Sequence, residues 1–450
     1  MGIQQLVFIL LTIVVFYFAF RQFKAVYQNI FLGKPENING DTAQRWKNTF
    51  LVAFGQKKMF KNWIPAIFHL FIYVAFLFTQ IELVEILIDG FSGRHRFFAP
   101  YLGSFYTLII NFIEVLSLLA LVATFVFLYR RNLLKVPRLV KSELNGWPKL
   151  DANIILMAEI VLVIGIFTMN GADKVLQQLG VEHYPDTGPL AVSSWLGPFI
   201  FGGLEISSLA VLERVGWWLH ILVVFGFILY LPYSKHLHIF LAFPNVYFSK
   251  LSSRGKMENM PEIMNEVKSM LGLEMAEQAA GAEVNAEFGA KDIFDLSWKN
   301  ILDAYSCTEC GRCTAECPAN ITGKKLSPRK IMMDIRDRAT EVGNNIKKNP
   351  QSYLKGEESL SLAQRYDDGK SLFDYISREE LHACTTCNAC VEACPVMINP
   401  LEPILKMRRY EILSESAGPA DWVPMFTAME NSGCVWQMPV EREAWIRDMA

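Results

Sequence analysis

Five nearly unbroken apolar stretches, near residues 3–20, 64–88, 105–129, 152–169 and 215–233, dominate the first half of the chain. Crossing a hydrocarbon core of roughly 30 Å takes about 20 helical residues, so each is long enough, or nearly so, to span a bilayer as a helix. The first is read as a retained helix and not a signal peptide: no charge precedes it, Arg21 and Lys24 follow it, and it ends in no small-residue cleavage site. A further stretch, 195–213 (WLGPFIFGGLEISSLAVLE), is apolar but broken by glycines and a glutamate. As a sixth span it would reverse the sidedness that the basic residues imply, so a helix lying on or dipping into the outer surface is expected there.

Sidedness follows from the basic residues. The connection 21–61 holds eight Lys and Arg and 130–149 holds six, whereas 89–104 and 170–214 hold two each. The N-terminus is therefore expected outside and the C-terminal half inside. Trp63, Trp217 and Trp218 fall at predicted span ends, where an indole buries its body and keeps its N–H wet.

The character of the chain changes after Pro244. Residues 1–250 carry 20 Lys and Arg against 14 Asp and Glu, and residues 251–450 carry 23 against 31 together with all nine cysteines. A net-basic first half suits loops beside anionic lipid, and a net-acidic second half excludes a nucleic-acid surface. Residues 251–290 read as a linker: MPEIMNEVKSML is amphipathic and Met-rich, as a core or partner surface is, and EMAEQAAGAEVNAEFGA is small, acidic and helical or mobile. The expected domains are thus 1–250, 251–290 and 291–450.

Two runs of identical spacing carry the chemistry: Cys307-x2-Cys310-x2-Cys313-x3-Cys317-Pro318 and Cys384-x2-Cys387-x2-Cys390-x3-Cys394-Pro395. This is the bacterial ferredoxin pattern. A cubane offers each thiolate one iron corner, and two-residue gaps let one tight loop aim three sulfurs at it. The fourth cysteine opens a helix pointing elsewhere and serves the other cluster. Cys307, Cys310, Cys313 and Cys394 are thereby assigned to one 4Fe-4S cluster, and Cys384, Cys387, Cys390 and Cys317 to a second. Zinc also takes four thiolates, but a doubled run ending in Cys-Pro favours clusters. The 66 residues between Cys317 and Cys384 have helical apolar spacing, so the expected fold is all-α: a five-helix transmembrane bundle followed by an α-helical ferredoxin domain. Gly311 is expected to bring backbone N–H groups near the first cluster, Cys434 to be inert, and His382 to be structural or to cover the second cluster.

An imidazole in lipid is costly and usually has a partner. His69 falls on the second predicted span, and His220 and His238 on the fifth, 18 residues apart and hence on one helix face about 27 Å apart. They cannot share a haem, but they can serve two haems stacked across the membrane, or one haem with the other histidine in another role. His69 lies at nearly the depth of His238, so a haem b between them is the main expectation. His220 has no helical partner, Thr79 standing ten residues beyond His69, and the outer-loop His95 and His183 are weak substitutes. Glu82, Glu85 and Glu205 lie towards the outer side, where they face solvent or exchange protons with a quinol; Glu114 and Glu159 lie deeper.

The stretch WWLHILVVFGFILYLPYSKHLHIF resembles the last helix of a nitrate reductase gamma-like haem b domain. CTECGRCTAECPANITGKKLSPRK, ELHACTTCNACVEACPVMINPLEPILKMRR and the tail ENSGCVWQMPVEREAW resemble the ferredoxin domain of membrane-bound heterodisulfide reductase-related iron–sulfur proteins, a group similar to the electron-transfer-flavoprotein:quinone oxidoreductases. The resemblance implies an oxidoreductase subunit of a bacterial inner membrane. It would pass electrons between a quinone, usually menaquinone, and a cytoplasmic redox partner through haem b and two 4Fe-4S clusters. It also implies His69, His220 and His238 as haem ligands. The group's second histidine on helix two is missing, and so is any Cys-Cys pair of its CCG domains. Disulfide-reducing chemistry is therefore expected on a separate CCG-type subunit, an electron-transfer flavoprotein being the other partner implied. The competing expectation is a haem-free, membrane-tethered ferredoxin used for docking or assembly.

Overall fold

The computed structural model describes residues 2–273, 288–436 and 443–447. Among them the helices of eight residues or more are α1 (Ile3–Ile30), α2 (Trp63–Ser92), α3 (Ser104–Asn132), α4 (Trp147–Gln178), α5 (Ser193–Phe201), α6 (Ile206–Tyr230), α7 (His238–Tyr247), α8 (Pro261–Met270), α9 (Trp298–Tyr305), α10 (Pro328–Lys348), α11 (Leu401–Arg409) and α12 (Trp422–Ser432). The described residues contain no strand, only two isolated bridges, so the fold is all-α. Residues 274–287, which hold most of the acidic linker, and 437–442 of the tail lie outside the described residues.

Five helices, α1, α2, α3, α4 and α6, are long and apolar enough to cross a membrane. Each runs past its sequence-predicted span at one end or both, because amphipathic turns continue a helix after hydropathy fades. α1 continues ten residues beyond 20, and its last turns leave the bundle: Val26 and Ile30 join the core of the cysteine-rich half, and Asn29 Nδ2 donates to Tyr305 Oη at 3.0 Å. This end of the bundle, which carries the cysteine-rich half, is the proximal end.

Two expectations need correction. The stretch 195–213 is not one surface helix. It breaks at Gly202 and Gly203 into α5, packed on α4, and the first two turns of the fifth span, which begins at Ile206. Trp217 consequently sits three turns inside that span, buried against Phe8 with ring centroids 5.4 Å apart, and not at an interface. The second correction concerns His238. α6 ends at Tyr230, and two 3-10 turns around Pro232 and Ser234 re-aim the chain before His238 opens α7. Proline lacks an N–H and clashes with the preceding turn, so the 18-residue helical phasing from His220 is lost there.

Small residues let α4 approach its neighbours. A Cβ on Gly216 would lie 2.5 Å from Met169 N, and one on Gly197 would meet the Gly171 carbonyl. Backbone-to-backbone contact of this kind is what holds helices together in lipid, where no hydrophobic drive operates between them. In the cysteine-rich half the caps are local: Ser297 accepts from Asn300 N to start α9, and Ser327, followed by Pro328, accepts from Lys330 N to start α10. Behind them Arg338 is fully buried between Asp292 and Asp368, a paired charge that ties α10 to the preceding and following loops.

Candidate cofactor sites

Both cysteine loops adopt the same unusual backbone. Glu309 and Thr386, each one residue before the second cysteine, have φ of 52° and 58°, and Gly311 and Asn388, each one residue after it, have 71° and 61°. Successive turns of this kind point backbone N–H groups inward, the arrangement that favours an anionic group. At Gly311 any Cβ would also collide with Arg329 Nη1, 2.4 Å away. Only glycine, asparagine or aspartate enters this region readily, so Glu309 and Thr386 carry strain that spacing alone did not reveal.

The loops form two clefts. One, of about 340 Å³, is lined by Cys307, Cys310, Cys313 and, from the other motif, Cys394. The second, of about 320 Å³, is lined by Cys384, Cys387, Cys390 and Cys317. Each fourth cysteine thus faces the three of the opposite motif. Burial pushes the thiols of Cys307, Cys390 and Cys394 up to about 12, and burial with four neighbouring cysteines raises Cys313 as well. Such thiols stay protonated unless a metal displaces the proton. Backbone N–H groups of Thr386 and Ile398 reach Cys384 and Cys394 Sγ at 3.4 and 3.3 Å, bonds of the kind that tune a cluster's potential. Four convergent sulfurs in a small cleft with N–H donors is a donor set that fits a cubane.

The first cleft abuts the proximal end of the bundle. Arg312 Nη1 donates to the carbonyls of Lys58 and Met59 at 3.3 and 3.2 Å, and Arg138 Nη1 to that of Cys310 at 2.7 Å. The second cleft faces outward: Cys387 is exposed, and Arg408 donates to the Leu381 and Cys384 carbonyls. His382 gives its Nε2 to Glu411 at 2.8 Å and packs edge-on to Trp422, away from ligation.

Beside the first cleft the structure gathers three imidazoles. His236 and His238 have ring centroids 5.8 Å apart, and His69 is in electrostatic reach of both. Burial, with His238 and His69 beside it, pushes His236 down to about 3. His69 Nδ1 faces Gln56 Oε1 at 3.2 Å and His238 Nδ1 faces the Lys235 carbonyl at 2.9 Å, which leaves each Nε2 free. A pinned Nδ1 and a free Nε2 are the outer-shell signature of an iron- or zinc-ligating histidine. His220 has it too, through the Leu162 carbonyl at 3.3 Å, but no second imidazole stands near it among the described residues. Sequence spacing does not mark Gln56, and helical phasing turns His236 away from His220; only nearness to His69 and His238 in three dimensions brings both to the site.

The remaining expectations on carboxylates also sort out. Glu114 accepts from Val192 N, Ser193 N and Ser193 Oγ, capping α5. Glu205 is exposed, and Glu159 has no hydrogen bond or ion pair among the described residues. His95 and His183 lie together, rings 5.7 Å apart, with His95 bound to carboxylates and not near His220.

Residues 306–398 match the family model of a 4Fe-4S dicluster domain. The matched stretch holds all eight motif cysteines and is the dicluster domain of the chain. Along 99% of its length the chain is 29% identical to a probable iron-sulfur-binding oxidoreductase FadF of Bacillus subtilis, covering 61% of that protein. It is 27% identical over 96% of its length to an EtfAB:quinone oxidoreductase of Syntrophomonas wolfei, covering 58%. A 160-residue part is 33% identical to a probable membrane-anchored ferredoxin of Chromohalobacter salexigens. The chain therefore spans about three fifths of the length of the first two relatives. No solved structure matches it. These relatives and the five apolar helices make the dicluster domain part of a membrane iron–sulfur protein.

Proposed function

We propose that the chain is a membrane electron-transfer subunit linking a quinone to a soluble redox partner, with the dicluster domain on the cytoplasmic side of a bacterial inner membrane. The observation that carries this reading is the convergence of His69 and His238 beside Arg312 of the first cysteine loop, because it sets a haem-competent imidazole pair next to a thiolate cleft. Bound there, haem b and two 4Fe-4S clusters supply one-electron carriers. His69 and His238 hold the haem iron through Nε2, while Gln56 and the Lys235 carbonyl fix their tautomer and ring orientation. Cys307, Cys310, Cys313 and Cys394 hold the inner cluster, and Cys384, Cys387, Cys390 and Cys317 the outer one. The exposed Cys387 then marks where a partner collects or delivers electrons, an electron-transfer flavoprotein or a CCG-domain subunit being the proposed class.

The two similar oxidoreductases support the reading, one of them being named for a quinone. The similarity to a membrane-anchored ferredoxin supports a second one, a tethered ferredoxin without haem. Iron, acid-labile sulfide and haem per purified chain, with the reduced visible spectrum, separate the two. The first reading requires about eight cluster irons and a haem α-band; clusters without the band leave the second, and zinc in their place ends both.

A further inference from the structure

The two cysteine clefts are alike in their sulfur donors and unlike in charge. Arg329, at the start of α10, lines the first cleft and is fully buried. Its Nη2 pairs with Glu143 Oε1 at 2.7 Å, and its Nη1 donates to the Arg138 carbonyl at 2.6 Å. The remaining group, Nε–H, has no acceptor among the described residues. An unmade hydrogen bond on a buried guanidinium is costly, and the acceptors that would fill it are sulfurs bound in the cleft beside it. Gly311 makes the approach possible, because any side chain there would overlap Arg329 Nη1. Arg312 adds a second buried cation, held by the Lys58 and Met59 carbonyls. The second cleft is walled instead by Leu326, Pro328, Leu401 and Ile404, and among the described residues no charged side chain lines it. Arg408 stands behind that loop, partly exposed, and donates to backbone carbonyls.

We propose that Arg329 donates Nε–H to a sulfur of the cluster in the first cleft, and that its charge makes this inner cluster the higher-potential one of the two. The inference rests on the relay proposed above for its two clusters and supplies the direction that relay lacks. Reduction adds one negative charge to a cluster that is already anionic with its four thiolates. A cation and an N–H donor at the sulfurs favour the reduced form and so raise the potential. Water at the exposed second cleft acts in the same sense on the outer cluster, but it is a diffuse and screened stabilisation. A fixed guanidinium lining a buried, low-dielectric cleft is the stronger effect. One electron entering on the Cys387 side then runs downhill to the Arg329 side and towards the bundle, with no proton moved and no bond broken. Delivery from the soluble partner into the membrane is the favoured direction.

The test is a redox titration of the purified whole protein followed by electron paramagnetic resonance. Its two signals are assigned from Cys310→Ala, which lacks the inner cluster, and Cys387→Ala, which lacks the outer one. In the wild type the inner signal is expected at the higher potential. Arg329→Gln should lower the inner reduction equilibrium by about tenfold, 59 mV for one electron, and leave the outer one unchanged. Glu143→Gln, which removes the counter-charge and keeps the shape, should move the inner signal the opposite way. A merely structural role predicts lost iron in these variants and not shifts of opposite sign. An outer cluster at the higher potential overturns the proposal, as does an inner potential that Glu143→Gln leaves where it was, a result that holds even where Arg329→Gln fails to assemble its cluster. A wild type without either signal brings down the two-cluster reading and this proposal together; two signals in the wrong order bring down this proposal alone.

Discussion

Lys235 and Glu309 form a buried ion pair that joins the turn before His238 to the strained residue between Cys307 and Cys310. Lys235 also bonds the Pro148 carbonyl at 2.7 Å and faces Asp151, and Glu309 is held on its other oxygen by Arg336 at 2.8 Å. Burial works to raise the Glu309 carboxyl, but Lys235 and Arg336 outweigh it and hold it below the usual carboxylate range. One network therefore fixes the distance between an imidazole site and a thiolate cleft.

Removing one member of such a pair strands the other charge, at a cost of about 3–5 kcal/mol. Lys235→Met should thus destabilise the junction far more than the exposed Lys325→Met, whose partner Glu379 is in solvent. Thermal unfolding of the two variants checks the contrast. A difference smaller than about 1 kcal/mol would show that the junction does not depend on the pair.

Crossed cysteine lining gives a sharper expectation. Cys394→Ala should remove the cluster beside Arg312 and the bundle, although Cys394 belongs in sequence to the second motif; Cys317→Ala should remove the exposed one. Each variant should keep about half of the cluster iron, four of roughly eight atoms per chain. Electron paramagnetic resonance of the reduced variants should show two different residual signals. A residual signal in Cys394→Ala that matches the one left in Cys387→Ala, and not the one left in Cys310→Ala, would mean that each motif ligates its own cluster.

Much of this architecture is legible in the sequence, for identifiable reasons. Hydropathy reports burial in lipid directly, so all five spans were found. It reports helix ends poorly, and α1, α4 and α6 each outrun their apolar windows. The Cys-x2-Cys spacing specifies a loop shape, so the two clefts follow from it. What spacing cannot carry is the three-dimensional partner: Gln56 is 13 residues from His69, and His236 reaches the site only because Pro232 breaks the helix. The charged groups behind the first cleft are equally scattered, with Arg138, Glu143, Arg312 and Arg329 each on a different element.

The histidine sites differ in a way that variants should expose. His69→Ala or His238→Ala should abolish haem binding, and Gln56→Leu, which leaves Nδ1 of His69 without its acceptor, should weaken it by about 10–100-fold. His220→Ala should leave haem content unchanged, because no second imidazole faces it among the described residues. Pyridine haemochrome measurements on the four purified variants decide this. Loss of half the haem in His220→Ala would instead reveal a second site.

Acid should separate one stabilising group from the rest. Glu402 on α11 is buried, which opposes ionisation, yet Lys406 at 3.0 Å and Lys250 at 2.8 Å outweigh burial and hold its carboxyl down at about 2. A carboxyl depressed in the folded state adds stability that is complete above its unfolded value near 4.3 and fades as pH falls towards 2. Glu402→Gln, which keeps the shape and removes the charge, should therefore cost on the order of 3 kcal/mol at pH 7. The gap between wild type and variant should hold down to about pH 5 and close steadily below it. Urea unfolding of both proteins across that range, followed by the fluorescence of the tryptophans, measures the gap directly. If it stays constant from pH 7 to 3, the lysines stabilise α11 by packing their stems and not by pairing with this carboxylate.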